Sequence, residues 1–147
     1  MIDPHSQALL QNVLRRESRS VLMYVDEAYP WTTAAEEKAL TDLRQIISAE
    51  REALTSLGRF LLRQHIPLPY LPTFPASFTT INFLALDYVL PRLIDYERRA
   101  IAELERELPA LKDSTAHAEV EKLLALKRRH LPQLEALVPA QTPASVS

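Results

Sequence analysis

The segment Ile66-Pro-Leu-Pro-Tyr-Leu-Pro-Thr-Phe-Pro-Ala-Ser77 places four prolines in twelve residues. Each proline fixes its own φ and lacks a backbone donor, so the stretch can be neither helix nor central strand. In polyproline-like geometry twelve residues reach about 37 Å at ~3.1 Å each. A helix of 25 residues is also about 37 Å long. The segment can therefore carry the chain from one end of a helical bundle to the other. The helices it joins are then parallel.

The flanks supply those helices. Upstream, the stripe Leu10, Leu14, Glu17, Val21, Tyr24, Ala28 steps by three and four, the period of one helix face. It predicts a continuous helix over 6–28, started by Asp3-Pro4 or Ser6 and stopped at Tyr29-Pro30. Thr33 with Glu36 fits a capping box for a second helix reaching about His65. Its stripe is Leu40, Leu43, Ile47, Glu50, Leu54, Leu57, Leu61. The short link between these helices predicts antiparallel packing. Downstream, a third helix is expected from Ser77 or Thr79 to about Leu108, bent at Pro91, with the stripe Leu86, Leu90, Leu93, Glu97, Ile101, Leu104, Leu108. A fourth, capped by Ser114 or Thr115, carries Val120, Leu123, Lys127, His130, Leu134, Leu137, with Pro132 bending it after the histidine. Residues 139–147 are small, polar and Pro-containing, and read as a disordered tail behind one domain over 1–138.

Bulk composition agrees with an all-α domain. There is one glycine against eleven prolines, too few glycines for the turns of a β-rich fold. A net charge of −2 gives no basis for binding nucleic acid or an anionic membrane. No apolar run approaches the ~20 residues of a membrane span, and the N-terminus lacks the pattern of a signal peptide. A cytoplasmic location is expected. The absence of cysteine excludes disulfides, thiolate nucleophiles and Cys-based metal sites. One glycine leaves no phosphate-binding loop.

Four stripes carry an ionisable residue near mid-length: Glu17, Glu50, Glu97 and Lys127, with His130 one turn after the lysine. Polar groups at core positions are unfavourable unless they bind something or one another. Taken singly, each glutamate fits a boundary position, and Lys127 fits a surface lysine whose stem covers apolar surface. Taken together at matched depth, they predict an interior polar cluster, with the Tyr24 hydroxyl bonded to it. The arginine pairs at 15–16, 98–99 and 128–129 read as solvated or paired with nearby acids. Glu52, Glu103, Glu105 and Glu107 read as outward-facing.

The same residues carry a family resemblance. Arg16-Glu-Ser-Arg-Ser-Val-Leu-Met-Tyr24 resembles the first-helix motif of the bacterioferritin and rubrerythrin families, and Tyr96-Glu-Arg-Arg-Ala-Ile-Ala-Glu-Leu104 the third. Ala49-Glu-Arg-Glu-Ala-Leu54 and Lys127-Arg-Arg-His-Leu-Pro-Gln-Leu134 resemble the second and fourth. The resemblance covers about residues 8–137 and implies a ferritin-like four-helix bundle: two antiparallel hairpins joined by the long crossover. A di-iron site of that family takes one glutamate from each of two helices and a Glu-x-x-His pair from each of the other two. This chain has Ala53 where the second helix needs histidine, and Lys127 where the fourth needs glutamate.

Two of six ligands are thus missing, and one replacement is a cation. Three carboxylates without a counter-charge would repel until one took up a proton; Lys127 can supply the charge that metal supplies elsewhere. The resulting expectation is a ferritin-like protein that has lost its di-iron centre, needs no cofactor, and acts as a non-enzymatic structural or partner-binding module. The alternative is a metalloprotein holding one Fe, Mn or Zn on Glu17, Glu50, Glu97 and His130, with oxidase or peroxide-related chemistry. A third reading is a ligand pocket in which Lys127 meets a small carboxylate. Tyr29, Trp31, Tyr70, Leu71 and Phe74 are candidates for an apolar patch supporting a homodimer or an unidentified protein partner.

Overall fold

The computed structural model describes residues 2–28 and 32–139. Five α-helices follow one another: α1 (Pro4–Ser18), α2 (Val21–Ala28), α3 (Glu37–Arg63), α4 (Leu86–Glu107) and α5 (Ser114–Leu137). Short 3-10 segments cover Ala34–Glu36, Ala76–Phe83 and Leu108–Ala110, and there is no strand among the described residues. Tyr29 and Trp31, and the predicted tail beyond Pro139, lie outside the described residues.

The predicted first helix is in fact two. Asp3 caps α1, its carboxylate accepting from the Ser6 N–H at 3.0 Å with Pro4 in the first turn. The helix then breaks at Arg19-Ser20, two residues after Glu17. Serine competes for backbone partners locally and favours caps over helix interiors. Here the Ser20 hydroxyl accepts from the Met23 N–H at 3.3 Å and starts α2. The Arg19 guanidinium donates to the Pro72 carbonyl and lies 4.8 Å over the Phe74 ring. The crossover therefore grips the break itself.

Thr33 and Glu36 form the expected start of α3, with the Thr33 N–H donating to the Glu36 carboxylate at 2.9 Å. The end of α3 is a Schellman closure: the Ile66 N–H donates to Leu61 O at 2.8 Å and the His65 N–H to Leu62 O at 3.0 Å. His65 takes the left-handed position with φ 60°, where glycine is usual. Ile66 and Leu61, at the two ends of that closure, are both buried.

The predicted third helix starts later than its pattern implies. Residues 76–83 form 3-10 turns in which the Thr79 and Thr80 hydroxyls donate to Ala76 O and Ser77 O. An extended Leu84 then separates them from α4. The cap of α5 is Asp113, whose carboxylate accepts from the Ala116 N–H at 2.9 Å, rather than Ser114 or Thr115. Both α4 and α5 run through their internal prolines. Pro91 and Pro132 sit on exposed faces, as do Asp87 and Arg128 four residues earlier, so the carbonyls left without an N–H face water.

Cross-helix pairs fix the directions. Arg16 of α1 meets Glu107 at the end of α4, and Tyr24 of α2 meets Phe78 just before α4, so α1–α2 and α4 are antiparallel. A Cβ on Gly58 of α3 would lie 3.8 Å from Leu14, and Gln11 donates to Pro67 O at 2.7 Å, so α1 and α3 are antiparallel. Arg98–Glu135 at 2.6 Å and Arg128–Glu105 at 2.7 Å set α4 against α5. With Lys127 on Glu50, and His130 beside Ile46 and Ala49, α3 also opposes α5. The helices on either side of the crossover, α3 and α4, therefore run in the same direction.

The core is the sum of the stripes. Leu10, Val13, Leu43, Ile47, Phe60, Leu61, Leu86, Leu90, Leu93, Leu104, Val120 and Leu124 are essentially sealed from solvent. Each such large side chain contributes roughly 1.5–3 kcal/mol on burial. No helix among the described residues is long and apolar enough to cross a membrane.

Candidate functional site

Five charged or titratable side chains interrupt this core, and five are in contact. Glu17 comes from the last turn of α1, Glu50 from the middle of α3, Glu97 from the middle of α4, and Lys127 and His130 from one face of α5. All are buried, Lys127 to 2% exposure and His130 to 5%. Their placement follows from the stripes: each occupies a position where the helical period turns the side chain inward.

Lys127 is the hub. Its Nζ donates to Glu50 Oε1 at 2.7 Å and to Glu97 Oε1 at 3.1 Å. It lies 3.0 Å from Glu17 Oε1, an ion pair without hydrogen-bond alignment. An ammonium has three N–H groups, and carboxylates from three helices surround them. His130 Nδ1 lies 2.8 Å from Glu50 Oε2, so both oxygens of Glu50 are engaged.

Arg16 is a second cation, and sequence reasoning did not single it out. It holds Glu17 Oε2 at 3.1 Å, Glu103 at 3.2 Å and both oxygens of Glu107 at 2.8 Å. Burial weakens its charged form, but the hydrogen bonds to Glu107 and the charge of Glu17 outweigh burial and hold the guanidinium ionised. Glu107 is therefore drawn in against Arg16, while Glu103 pairs with the same guanidinium from an outward-facing position, 43% exposed. The signal was local in neither helix: Arg16 and Glu107 are 91 residues apart.

Tyr24 is not part of the cluster. Its hydroxyl donates to Asn82 Oδ1 at 3.0 Å, and its ring packs on Phe74 and Phe78 at 5.2 and 5.7 Å. The break at Arg19-Ser20 and the 3-10 segment beside α2 direct it there.

The three glutamates are not equivalent. Burial pushes the Glu97 carboxyl up to about 9, and the hydrogen bond shared with Glu50 adds to the rise, against the opposing charge of Lys127. Burial also pushes Glu50 upwards, but the Lys127 charge and hydrogen bonds from His130, Glu97 and Lys127 overcome it and bring Glu50 down to about 2. Burial disfavours the Lys127 ammonium, and Glu17, Glu50 and Glu97 more than restore it. At neutral pH Glu97 is then a carboxylic acid and Glu50 a carboxylate. The Glu50 carboxylate stands beside the Lys127 ammonium, and the Arg16 guanidinium beside Glu17. Pairing of this kind is what allows ionised groups to remain inside a protein.

A dimetal centre does not fit these residues. The Lys127 ammonium sits among the carboxylates a metal pair would share, and Ala53 offers no ligand one turn after Glu50. A single ion is a different matter: Glu50, Glu97 and His130 each offer a ligand atom, all within 4.8 Å of one another. Glu97 Oε2 is buried and accepts no hydrogen bond among the described residues, as suits a carboxylic acid that gives its proton to Glu50. Comparison with protein-family models, with curated proteins and with solved structures finds no match.

Proposed function

We propose that this chain is a ferritin-like bundle in which a fixed ammonium has taken the place of a dimetal centre, serving as a non-enzymatic structural or partner-binding module of the cytoplasm. The observation that carries the reading is Lys127 Nζ within 3.1 Å of carboxylates from α1, α3 and α4. The parallel α3 and α4, with the Pro-rich crossover between them, are consistent with the connectivity of ferritin-like bundles. In this reading the Lys127–Glu50–His130 network fixes the register of α3 against α5 without metal.

The partner-binding half of the proposal rests on the crossover. Tyr70 is 84% exposed, and Leu68 and Leu71 are exposed beside it. A second copy of the chain is the partner proposed. Phe74 drops out of that surface, because it is half-buried against Tyr24 and Phe78.

A second reading is favoured by one observation, the grouping of Glu50, Glu97 and His130, whose ligand atoms all lie within 4.8 Å of one another. It makes the protein a mononuclear Fe, Mn or Zn protein with Lys127 displaced. Elemental analysis of protein purified from medium supplemented with all three metals separates the readings. The ammonium reading expects no stoichiometric metal and a thermal midpoint unmoved by chelator. One tightly held ion per chain, with a midpoint that falls on chelation, overturns it.

A further inference from the structure

The prolines of the crossover do more than break helices. Leu68-Pro69-Tyr70, Leu71-Pro72-Thr73 and Phe74-Pro75-Ala76 repeat an apolar–proline pair every three residues. A polyproline helix has three residues per turn, so these pairs share one edge of it. Residues 66–75 belong to neither helix nor strand, and Pro75, at φ −55° and ψ 137°, lies in the polyproline range.

The fold holds this segment extended before any partner arrives. At one end Gln11 donates to Pro67 O at 2.7 Å, and at the other Arg19 donates to Pro72 O. Between those anchors the backbone groups of Leu68, Pro69, Tyr70 and Leu71 make no hydrogen bonds among the described residues. Proline has no N–H, so the four residues offer more carbonyl acceptors than donors. The third pair is already used, since Phe74 packs on Tyr24 and Phe78. The first two are open: Leu68 is 49% and Leu71 39% exposed, and Pro72 is exposed beside them.

The edge that carries the pairs does not press on a filled core. A cavity of about 300 Å³ separates it from the bundle, lined by Leu14, Met23 and Leu54 of the helices and by Leu68, Pro69 and Leu71 of the crossover. Its charged groups are two arginines and Glu27, and one of those arginines, Arg51, is paired with Asp26 at 2.6 Å. The space therefore suits an apolar ring better than an ion.

We infer that the crossover is a docking strip for a polyproline-reading domain. Such a domain has a groove of aromatic side chains that grips the Leu68-Pro69 and Leu71-Pro72 pairs, with Trp or Tyr donors to the free carbonyls. A segment already extended loses little freedom on docking. The inference rests on the partner-binding part of the proposed function and adds a class of partner to the second copy. The two differ in the residue they need. Tyr70, 84% exposed, stands between the pairs and belongs to neither.

The test is an array of purified SH3 domains probed with the full-length protein, each positive then being titrated. At least one domain is expected to bind with micromolar affinity, and to lose binding when its own groove aromatics are replaced by alanine. The double substitution Pro69→Ala, Pro72→Ala and, separately, Leu71→Ala should each weaken binding by about tenfold. Circular dichroism verifies the fold of each variant, and Leu71→Ala carries the test if the proline variant is unfolded. Tyr70→Ser should change domain binding by less than about twofold, the difference of a residue outside the pairs, while weakening self-association in sedimentation. Domain binding by a protein that sediments as a monomer supports the strip and removes only the second copy. An array without a positive at high micromolar protein, positives that survive both the proline and the Leu71 substitutions, or an equal loss with Tyr70→Ser would each overturn the strip.

Discussion

Lys127 Nζ lies 2.7 Å from Glu50 Oε1, inside the core and across 77 residues of sequence. Such a pair does not have to stabilise the fold relative to an apolar one, since desolvation offsets much of its attraction. Breaking it is a different matter. Lys127→Ala leaves the buried Glu50 carboxyl without the ammonium that opposes its burial. The expected loss is ~3–5 kcal/mol of unfolding free energy, read from the denaturant midpoint at pH 7 with unchanged slope. A loss within the ~0.5 kcal/mol of ordinary surface substitutions would contradict the burial of the pair.

Much of this was legible in the sequence, for a definite reason. A helical stripe is a local pattern, and a charged residue falling on it is visible without knowing the partner; Glu17, Glu50, Glu97, Lys127 and His130 all fall on stripes. What depends on contacts between distant segments was not legible. Arg16 gains its role from Glu103 and Glu107, which the last turn of α4 brings alongside. The stripe Leu10, Leu14, Glu17, Val21, Tyr24 continues in register across Arg19-Ser20, so it concealed the break between α1 and α2. That break is held by a bond from Arg19 to the crossover, 53 residues away. The Tyr24 hydroxyl went astray for the same reason: its partner Asn82 belongs to a 3-10 segment that the sequence pattern read as helix.

The pH dependence of stability should have two arms with different owners. Glu50 is lowered from 4.5 to about 2 in the folded protein. Its contribution is present above the unfolded value and is lost as pH falls towards 2. Glu97 is raised from 4.5 to about 9. Above pH 4.5 the unfolded chain gives up this proton while the folded chain keeps it, so stability falls as pH rises, by at most ~1.4 kcal/mol per pH unit for one proton. That decline ends as pH passes through the folded value. Glu97→Gln keeps an uncharged, hydrogen-bonding side chain and removes the titration. Its denaturant midpoint should exceed that of the wild type at pH 8 and approach it at pH 5. Parallel curves for the two proteins would show that Glu97 is ionised in the folded state at neutral pH.

Restoring the two absent ligands tests the proposed ancestry of the cluster. Ala53→His supplies an imidazole one turn after Glu50, and Lys127→Glu removes the ammonium and adds a carboxylate one turn before His130. The double variant then carries a full set of four glutamates and two histidines on the four stripes. Stoichiometric iron binding by the double variant, and none by the wild type, is the expected outcome, measured by elemental analysis and by the rise in thermal midpoint that a ligand of the folded state confers. Failure of both proteins to bind iron would mean that α3 and α5 are not in the register the resemblance requires.

His65 closes α3 at φ 60°. The left-handed region disfavours residues with a Cβ by roughly 1–2 kcal/mol, and glycine avoids that strain. The Schellman bonds from Ile66 and His65 are backbone bonds and survive the change. His65→Gly should therefore raise stability by about 1 kcal/mol, less the extra freedom glycine gives the unfolded chain. The gain should appear as a slower exchange of the Ile66 amide as well as a higher midpoint.

Gly58 is the converse case, and the contrast separates two uses of one residue type. It is the only glycine of the chain and lies inside α3 with ordinary helical φ. A Cβ added there would sit 3.8 Å from Leu14 Cδ2 and 3.8 Å from Leu68 Cδ2, ordinary van der Waals separations. Nothing in that spacing requires the glycine, and a helix interior disfavours it by about 0.8–1 kcal/mol relative to alanine. Gly58→Ala should therefore stabilise the protein by about 0.5–1 kcal/mol, in part by restricting the unfolded chain. Because Leu68 belongs to the crossover, the new methyl should also protect that segment from proteolysis. A destabilised Gly58→Ala would show that the crossover packs on α3 more closely than 3.8 Å, with no room for the added carbon.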